Sequence, residues 1–365
     1  MSFVFLNRYV RAAFAPPRYL ALPLSGIDLS TSGVKAVRLV ESARGLILAA
    51  HAEERLPSGA FIDGEIVDHA TIAEALAIVA KTAGIRSANV AVSESKSFLF
   101  ETTVQGTTMD EWRIGVEQHL DELVPLPPPE TVFDMVEVGS GEHGTARIAG
   151  IGFARRIIDD TLAVFDQARI GVQALEEETF AMARALLPRG DTSTTLIIDI
   201  GRTTTKIAIV AGRVPRFATT VGIGGHALTL AVQKYFGVTE AEARRVKVER
   251  GIVPTPGNEE YLAAMLSTVS AIRDEIAHRL EYWQGKVSTV STHEPVSRAI
   301  LVGGNASVRG LPEYLEEALR VPVAAGDVFI NLASRDAWVP SIDYTESLAY
   351  ATAIGLALHD YQAYA

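Results

Sequence analysis

Cysteine is absent from this 365-residue chain. No disulfide framework can staple it, and no thiolate can act as nucleophile or metal ligand. The absence fits a reducing compartment. Positive charge is in deficit: 33 Lys and Arg against 44 Asp and Glu leave a net charge of −11, which argues against a nucleic-acid-binding surface. No apolar run approaches the length of a membrane span, and the histidines show no metal-ligand spacing. Apolar residues are not scarce. At 48% they are ample for burial, and 365 residues are too many for one small core, so two to four compact units are expected.

A strand-turn-strand phrase occurs twice. The first copy runs from Gly26-Ile27-Asp28-Leu29-Ser30-Thr31-Ser32-Gly33-Val34-Lys35 into Ala36-Val37-Arg38-Leu39-Val40. The second runs from Ile198-Asp199-Ile200-Gly201-Arg202-Thr203-Thr204-Thr205-Lys206 into Ile207-Ala208-Ile209-Val210. In each, an Asp ends an apolar run, small hydroxyl residues follow, and a Lys stands seven positions after the Asp (35 − 28 and 206 − 199). Either copy alone reads as an ordinary Ser/Thr hairpin turn. Two with matching spacing point to related half-domains facing each other across a phosphate chain. Hydroxyls and backbone N–H groups of tight turns grip phosphate oxygens, and a strand-end Asp can hold a hydrated Mg²⁺. Asp28 and Asp199 are the candidates for that metal contact.

A third phrase strengthens the pairing. The apolar strand Ala299 to Val302 runs into Gly303-Gly304-Asn305, then a helix opened near Pro312. Two glycines let the backbone approach a flat ligand closely. The order Asp-turn, Asp-turn, Gly-Gly resembles the actin-like ATPase superfamily, in which the two turns clamp nucleotide phosphates and the Gly-Gly turn lies against the adenosine.

The organisation along the chain follows from composition and pattern. Residues 1–24 form an amphipathic segment and a Pro-rich connector. As a helix, residues 1–14 place Phe3, Leu6, Val10 and Phe14 on one side and Asn7, Arg8 and Arg11 away from it. Such a segment can lie in a membrane interface, dock in a partner's groove, or fold back on its own domain. It is not a secretory signal, because the polar residues break the apolar run. Residues 25–92 and 156–190 read as the first lobe and 93–155 as a small inserted α+β subdomain. Residues 191–225 and 299–365 read as the second lobe, and 226–298 as a charged helical lid. Helices are expected at Ala70–Ala83, at Asp110–Leu123 with Trp112, Val116 and Leu120 on one face, at Ile157–Ala168, and at Glu346–His359. Strands are expected at Phe98–Val104, Val132–Val138 and Ala146–Phe153, with a turn over Ser140–Gly144.

From Gly26 onward the chain resembles the PilM family of type IV pilus assembly proteins, with the FtsA family next. The carrying phrases are Gly26-Ile27-Asp28-Leu29-Ser30 with Val34-Lys35-Ala36-Val37, Leu56-Pro57-Ser58-Gly59 with Asp63-Gly64-Glu65-Ile66, and Glu178-Thr179-Phe180-Ala181-Met182-Ala183-Arg184. Ile198-Asp199-Ile200-Gly201, Ile223-Gly224-Gly225 and the closing Ala349–Leu358 add to them. The resemblance implies an α/β, two-lobed actin-like fold of duplicated ribonuclease-H-like domains, with an inserted subdomain in the first lobe. It implies ATP and Mg²⁺ between the lobes, held by Asp28, Ser30, Thr31, Ser32 and Lys35 on one side. On the other stand Asp199, Gly201, Thr203, Thr204, Thr205, Gly224, Gly225, Lys247, Gly303, Gly304 and Asn305. It further implies a partner, the cytoplasmic N-terminal peptide of a PilN-like inner-membrane protein, received by the inserted subdomain. A cytoplasmic position at the inner face of the membrane, a link to the pilus assembly motor and self-association follow from the same resemblance. Two residues depart from the family pattern: Arg202 in the second turn, where a small residue is usual, and Arg244 in the lid, where Glu is usual.

Hydrolysis in this superfamily needs a carboxylate or amide near the attacking water. Glu178 is the candidate, against its alternative as a helix-start carboxylate favoured by the helix dipole. Turnover is expected to be slow or absent. His226 reads as a helix-opening surface residue rather than a base. Two other readings exist. A small-molecule kinase would need a catalytic Asp and a sugar loop, and no such phrase stands out. An FtsA-like filament former usually ends in an amphipathic membrane helix, for which the tail after Leu358 is short and polar.

Overall fold

The computed structural model describes residues 22–141, 144–289 and 293–363. The amphipathic segment at 1–14 and its Pro-Pro connector lie outside the described residues, as does His143 of the expected 140–144 turn.

The first lobe is built on a sheet in the order β10-β6-β1-β2-β3, from β1 (Ser25–Ser30), β2 (Gly33–Ser42), β3 (Gly45–Arg55), β6 (Ser87–Val92) and β10 (Gly171–Glu177). Strands β4 (Phe61–Ile62) and β5 (Glu65–Ile66) pair separately. The second lobe repeats the plan as β13-β12-β11-β14-β15, from β11 (Thr194–Ile200), β12 (Thr205–Ala211), β13 (Val214–Val221), β14 (Arg298–Val302) and β15 (Val323–Ala325). Each sheet is an antiparallel meander whose first strand also pairs in parallel with a later strand. β1 and β11 are almost wholly buried, and β11 carries the apolar run Leu196-Ile197-Ile198, as strands covered on both faces do.

Two helices pack between the sheets: Glu178–Leu186 and Ala351–Ala357. They approach backbone to backbone, and a Cβ added at Gly355 would stand 1.8 Å from the Ala181 carbonyl oxygen. The largest core runs from the second-lobe sheet through Met182 and Ile354 to Val37, Leu39, Leu46 and Leu48 of the first lobe. The outer face of the first sheet is covered by helix α1 (His69–Ala83), capped by the Asp68 side chain at its start and by Gly84 in left-handed conformation (φ 66°) at its end.

Between β6 and β10 the chain makes a second layer. β7 (Ser97–Gln105), β8 (Thr131–Ser140) and β9 (Thr145–Ala154) form a sheet in the order β7-β9-β8. Helix α2 (Met109–Gln118) covers one face, opened by a reciprocal capping box between Thr108 and Glu111. The helix expected over Asp110–Leu123 is broken at His119, whose φ −122° and ψ 17° leave the helical region; a short helix, Leu120–Leu123, follows. The break still buries Val116 and Leu120, while Trp112 is half-buried and donates from Nε1 to the Gly106 carbonyl at 2.9 Å.

The lid holds helices Gly225–Phe236, Glu240–Arg250 and Glu259–Thr289. The last, roughly 45 Å long at 1.5 Å per residue, buries Tyr261, Met265, Val269, Ile272, Ile276, Leu280 and Trp283. Their spacing of three and four makes one apolar stripe. The expected closing helix from Glu346 is interrupted by a 3-10 turn, Leu348–Tyr350, which buries the Tyr350 ring edge-on to His51 at 5.6 Å between centroids. The helix after Gly303-Gly304 starts only at Leu311, because a turn occupies the intervening residues.

Candidate functional site

The seven-residue Asp-to-Lys spacing is a register. In the first hairpin Asp28 faces Lys35 across the ladder; in the second, Asp199 faces Lys206. Each turn therefore presents a carboxylate and an ammonium side by side, at the end of its sheet that faces the other lobe. The tips touch: Thr31 Oγ1 and Thr203 Oγ1 are 2.8 Å apart across the lobes. Around that contact lies a cavity of about 470 Å³.

Of the residues expected at this site, Asp28, Ser30, Thr31, Ser32, Lys35, Asp199, Gly201, Thr204, Gly225, Lys247, Gly303, Gly304 and Asn305 all line the cavity. Thr203, Thr205 and Gly224 are not on the wall itself: Thr203 is exposed at the turn tip, where it meets Thr31. Thr205 donates to the Ile223 carbonyl at 2.7 Å, and a Cβ at Gly224 would stand 2.7 Å from the Thr203 carbonyl carbon and the Thr204 nitrogen. Arg202, Lys206, His226 and Arg244 also line the cavity. Arg202 and Arg244 appear in the sequence only as departures from pattern, and the other two as residues of secondary interest. Glu53 and Tyr350 line it as well without any local sequence signal, since only the folded sheet brings them there.

The wall on the second lobe is held by Asn305. Its Nδ2 donates to the Gly201 carbonyl at 2.8 Å and the Ile200 carbonyl at 3.1 Å, and its Oδ1 accepts from Lys247 Nζ at 2.6 Å. Lys247 also donates to the Gly225 carbonyl at 3.0 Å and to Thr229 at 3.1 Å. This ammonium is a strut between lid and turn. Burial, with the Arg244 charge nearby, lowers its pKa to about 8. Two glycines are obligatory here. Gly303 has φ 89° and a Cβ would stand 2.2 Å from Asp199 Oδ1; at Gly225 a Cβ would stand 1.9 Å from Asn305 Oδ1.

The carboxylates are poised differently from surface groups. Burial raises Asp28 to about 6, opposed by the Lys206 and Lys35 charges. Asp199 is raised for the same reason and opposed chiefly by Lys206. Asp28 Oδ1 is buried and has no hydrogen-bond partner among the described residues. A buried acceptor without a partner is costly, and Asp28 is one of the residues that line the cavity.

Glu178 is not on the cavity wall. It opens the central helix and is almost fully buried, 1% exposed, so its charge must be met by protein groups. Oε1 accepts from Glu94 N at 2.9 Å, and Oε2 from Lys206. The same neighbourhood holds Glu94, raised to about 7 by burial, which accepts from Thr220 on β13 at 2.5 Å. Glu178 and Glu94 thus join the first lobe to β12 and β13 of the second. No group of three or more His, Cys, Asp or Glu able to hold a metal occurs among the described residues. No helix among them is long and apolar enough to cross a membrane.

Known proteins share this fold. A solved structure described as a PilM–PilN type IV pilus biogenesis complex superposes with a TM-score of 0.74 and 20% identity, over 92% of this chain and 97% of that one. MreB5 of Spiroplasma citri bound to ADP gives a TM-score of 0.56 at 14% identity, over 94% and 98%. In sequence, the cell shape-determining protein MreB of Escherichia coli K12 is 25% identical over 191 residues, 44% of this chain and 54% of its own length. The chain therefore spans about half the length of the curated relatives it matches. These likenesses establish the two-lobed actin-like ATPase fold. A family model described as type IV pilus assembly protein PilM matches residues 26–361. The chain belongs to the PilM family of type IV pilus assembly proteins.

Proposed function

We propose that this protein is an ATP-binding scaffold of type IV pilus assembly that presents a peptide-binding surface on residues 93–155. The observation that carries the nucleotide reading is the meeting of the two Asp-hydroxyl turns around one cavity, lined by Asp28, whose buried Oδ1 has no hydrogen-bond partner among the described residues. The residues fit Mg-ATP. Two carboxylates with no third protein ligand suit a cation that keeps its waters and leans on phosphate oxygens. The hydroxyls of Ser30, Thr31, Ser32 and Thr204 and the backbone near Gly201 and Gly225 suit the phosphates, and the glycine wall at 303–304 suits a flat base. When bound, the nucleotide supplies a negative bridge between the turns. Lys35 would balance that charge, Lys206 being held by Glu178, and Asp28 and Asp199 would orient the hydrated cation.

Lobe position then reaches the inserted subdomain through β13. Thr220 lies opposite Lys206 in the ladder and donates to Glu94; further along the strand, Arg216 pairs with Glu101 on β7 at 3.1 Å. His293 meets the same Glu101 at 3.2 Å. The partner surface lies on the subdomain's open side. Phe100 and Met135 are core, and Phe98 and Phe133 pack half-buried against it. Met109 and Ile114 of α2 stay more than half-exposed or nearly so, at 50% and 56%, and offer apolar anchors. A short peptide with apolar side chains, ordered on binding, fits such a surface with an affinity on the order of micromolar. The partner in this reading is the N-terminal peptide of a PilN-like inner-membrane protein, which sets the chain at the inner face of the cytoplasmic membrane.

Titration calorimetry with Mg-ATP tests the first half; no heat and no thermal shift at millimolar ligand would leave a scaffold without a working nucleotide site. For the second half, the full chain is titrated with the N-terminal peptide of a PilN-like protein. Ile114→Asp should weaken capture at least tenfold, and deletion of 93–155 should abolish it. Capture that survives deletion in a chain with intact circular dichroism sinks the assignment to this subdomain.

A further inference from the structure

We propose that Arg202 reads the terminal phosphate of a nucleoside triphosphate in the cavity, so that this chain separates tri- from diphosphate with a side chain of its second turn. The inference rests on the nucleotide reading above.

Three observations carry it. First, Arg202 is more weakly committed than the lysines on the cavity wall, and unlike Arg55, which also lines it, it stands in a phosphate turn. Lys35 is paired with Glu53 at 3.7 Å, Lys206 with Glu178 and with Asp199 at 3.8 Å, and Lys247 is held by three oxygens. Arg202 has one ion pair, to Glu240 at 3.8 Å, too long for a hydrogen bond. Its Nε is buried without a hydrogen-bond partner among the described residues.

Second, the carboxylate that holds Arg202 is already engaged. Glu240 is hydrogen-bonded by Arg244, one helical turn on, and His226 stands 3.9 Å away. Two guanidiniums and an imidazole around one half-exposed carboxylate leave positive charge in excess at the cavity mouth. An incoming anion removes that repulsion; the present neighbours do not.

Third, its place in the turn selects which phosphate it meets. Residue 202 sits between Gly201, whose carbonyl is fixed by Asn305, and Thr203, whose hydroxyl touches the first turn at Thr31. In the nucleotide reading, with the base on the Gly303-Gly304 wall and the phosphates directed to the two turn tips, a side chain at the second tip would meet the phosphate farthest from the base. A guanidinium fork matches a phosphate's oxygens in a bidentate way that an ammonium does not. On ligand arrival Arg202 leaves Glu240 for that phosphate, and the lid helix Glu240–Arg250 loses one tie to the turn.

Calorimetry with Mg-ATP and Mg-ADP on the full chain, Arg202→Ala, Arg202→Lys and Glu240→Gln tests the proposal, with melting curves to show each variant folded. Arg202→Ala should weaken ATP about tenfold, the size of a charged hydrogen-bond pair, and ADP less than twofold. Arg202→Lys should fall between, and Glu240→Gln should tighten ATP by freeing the guanidinium. Equal weakening of both nucleotides, or none, overturns the role of Arg202 while leaving the site. A wild-type chain that binds neither nucleotide overturns the nucleotide reading itself and this inference with it.

Discussion

The two phosphate-turn hairpins differ less in sequence than in what their lysines do. Both place Asp opposite Lys in the ladder. In the first, Lys35 turns sideways to Glu53 on the neighbouring strand, a carboxylate with a third of its side chain in solvent. In the second, Lys206 is locked to Glu178, a carboxylate at the start of the helix between the lobes with almost no exposure. Equal spacing gives equal register, but the layer behind each hairpin decides the use of the side chain. Both hairpins line the cavity, but only the second has its lysine built into the joint between the lobes.

The largest effect tests what the hairpins share. Asp28→Ala combined with Asp199→Ala should abolish Mg-ATP binding by calorimetry, because the cation then has no protein carboxylate; retained binding breaks the pairing of the turns. The next test separates them. Lys206→Ala leaves Glu178 buried and unpaired, so urea unfolding should show a loss of about 3 kcal/mol. Lys35→Ala frees a half-exposed Glu53 and should cost about 1 kcal/mol or less. Similar losses would mean that the two lysines are structurally equivalent after all.

Binding should rank them the other way. Lys35→Ala is expected to weaken Mg-ATP about tenfold, and Lys206→Ala less, since its ammonium is already neutralised by Glu178; equal effects or the reverse order defeat this asymmetry. The smallest expected effect is a pH dependence. Asp28 is held up at about 6 by burial. For the free protein the sign is that of a raised carboxylate: its contribution to stability is present below the ordinary range near 4 and lost as pH rises through about 6. For the bound cation the sign is opposite, because only the ionised form attracts it. The melting shift given by Mg-ATP should therefore grow from pH 5.5 to 7.5, and a flat or falling shift would exclude Asp28 as the cation contact.

Much of this was legible in the chain. The Asp-to-Lys spacing anticipated both hairpins, and the Gly303-Gly304-Asn305 phrase marked a wall that the structure uses. Helix α1 was readable from its apolar period and Gly84. What escaped was non-local. His119 breaks a helix whose apolar face looks continuous, because burial of Val116 and Leu120 does not require one straight axis. Glu178 reads as a helix-start carboxylate or a catalytic one, and nothing near it in sequence announces Lys206 across the cleft. Lys247 reads as a ligand-binding cation and does line the cavity, but nothing near it in sequence announces Asn305 and Thr229 around its ammonium.

The contact between Gly355 and Ala181 bears on how such a molecule can move. Where two helices meet without side chains between them, the gap is one peptide wide and cannot narrow, and sliding would drive neighbouring side chains into the opposite backbone. Turning about that point would strain the Glu178–Lys206 pair and the core that runs across both lobes. The arrangement is that of a pair of closed shears: a bearing at the crossing of the two central helices, and blades whose edges, the hydroxyls of Thr31 and Thr203, already meet.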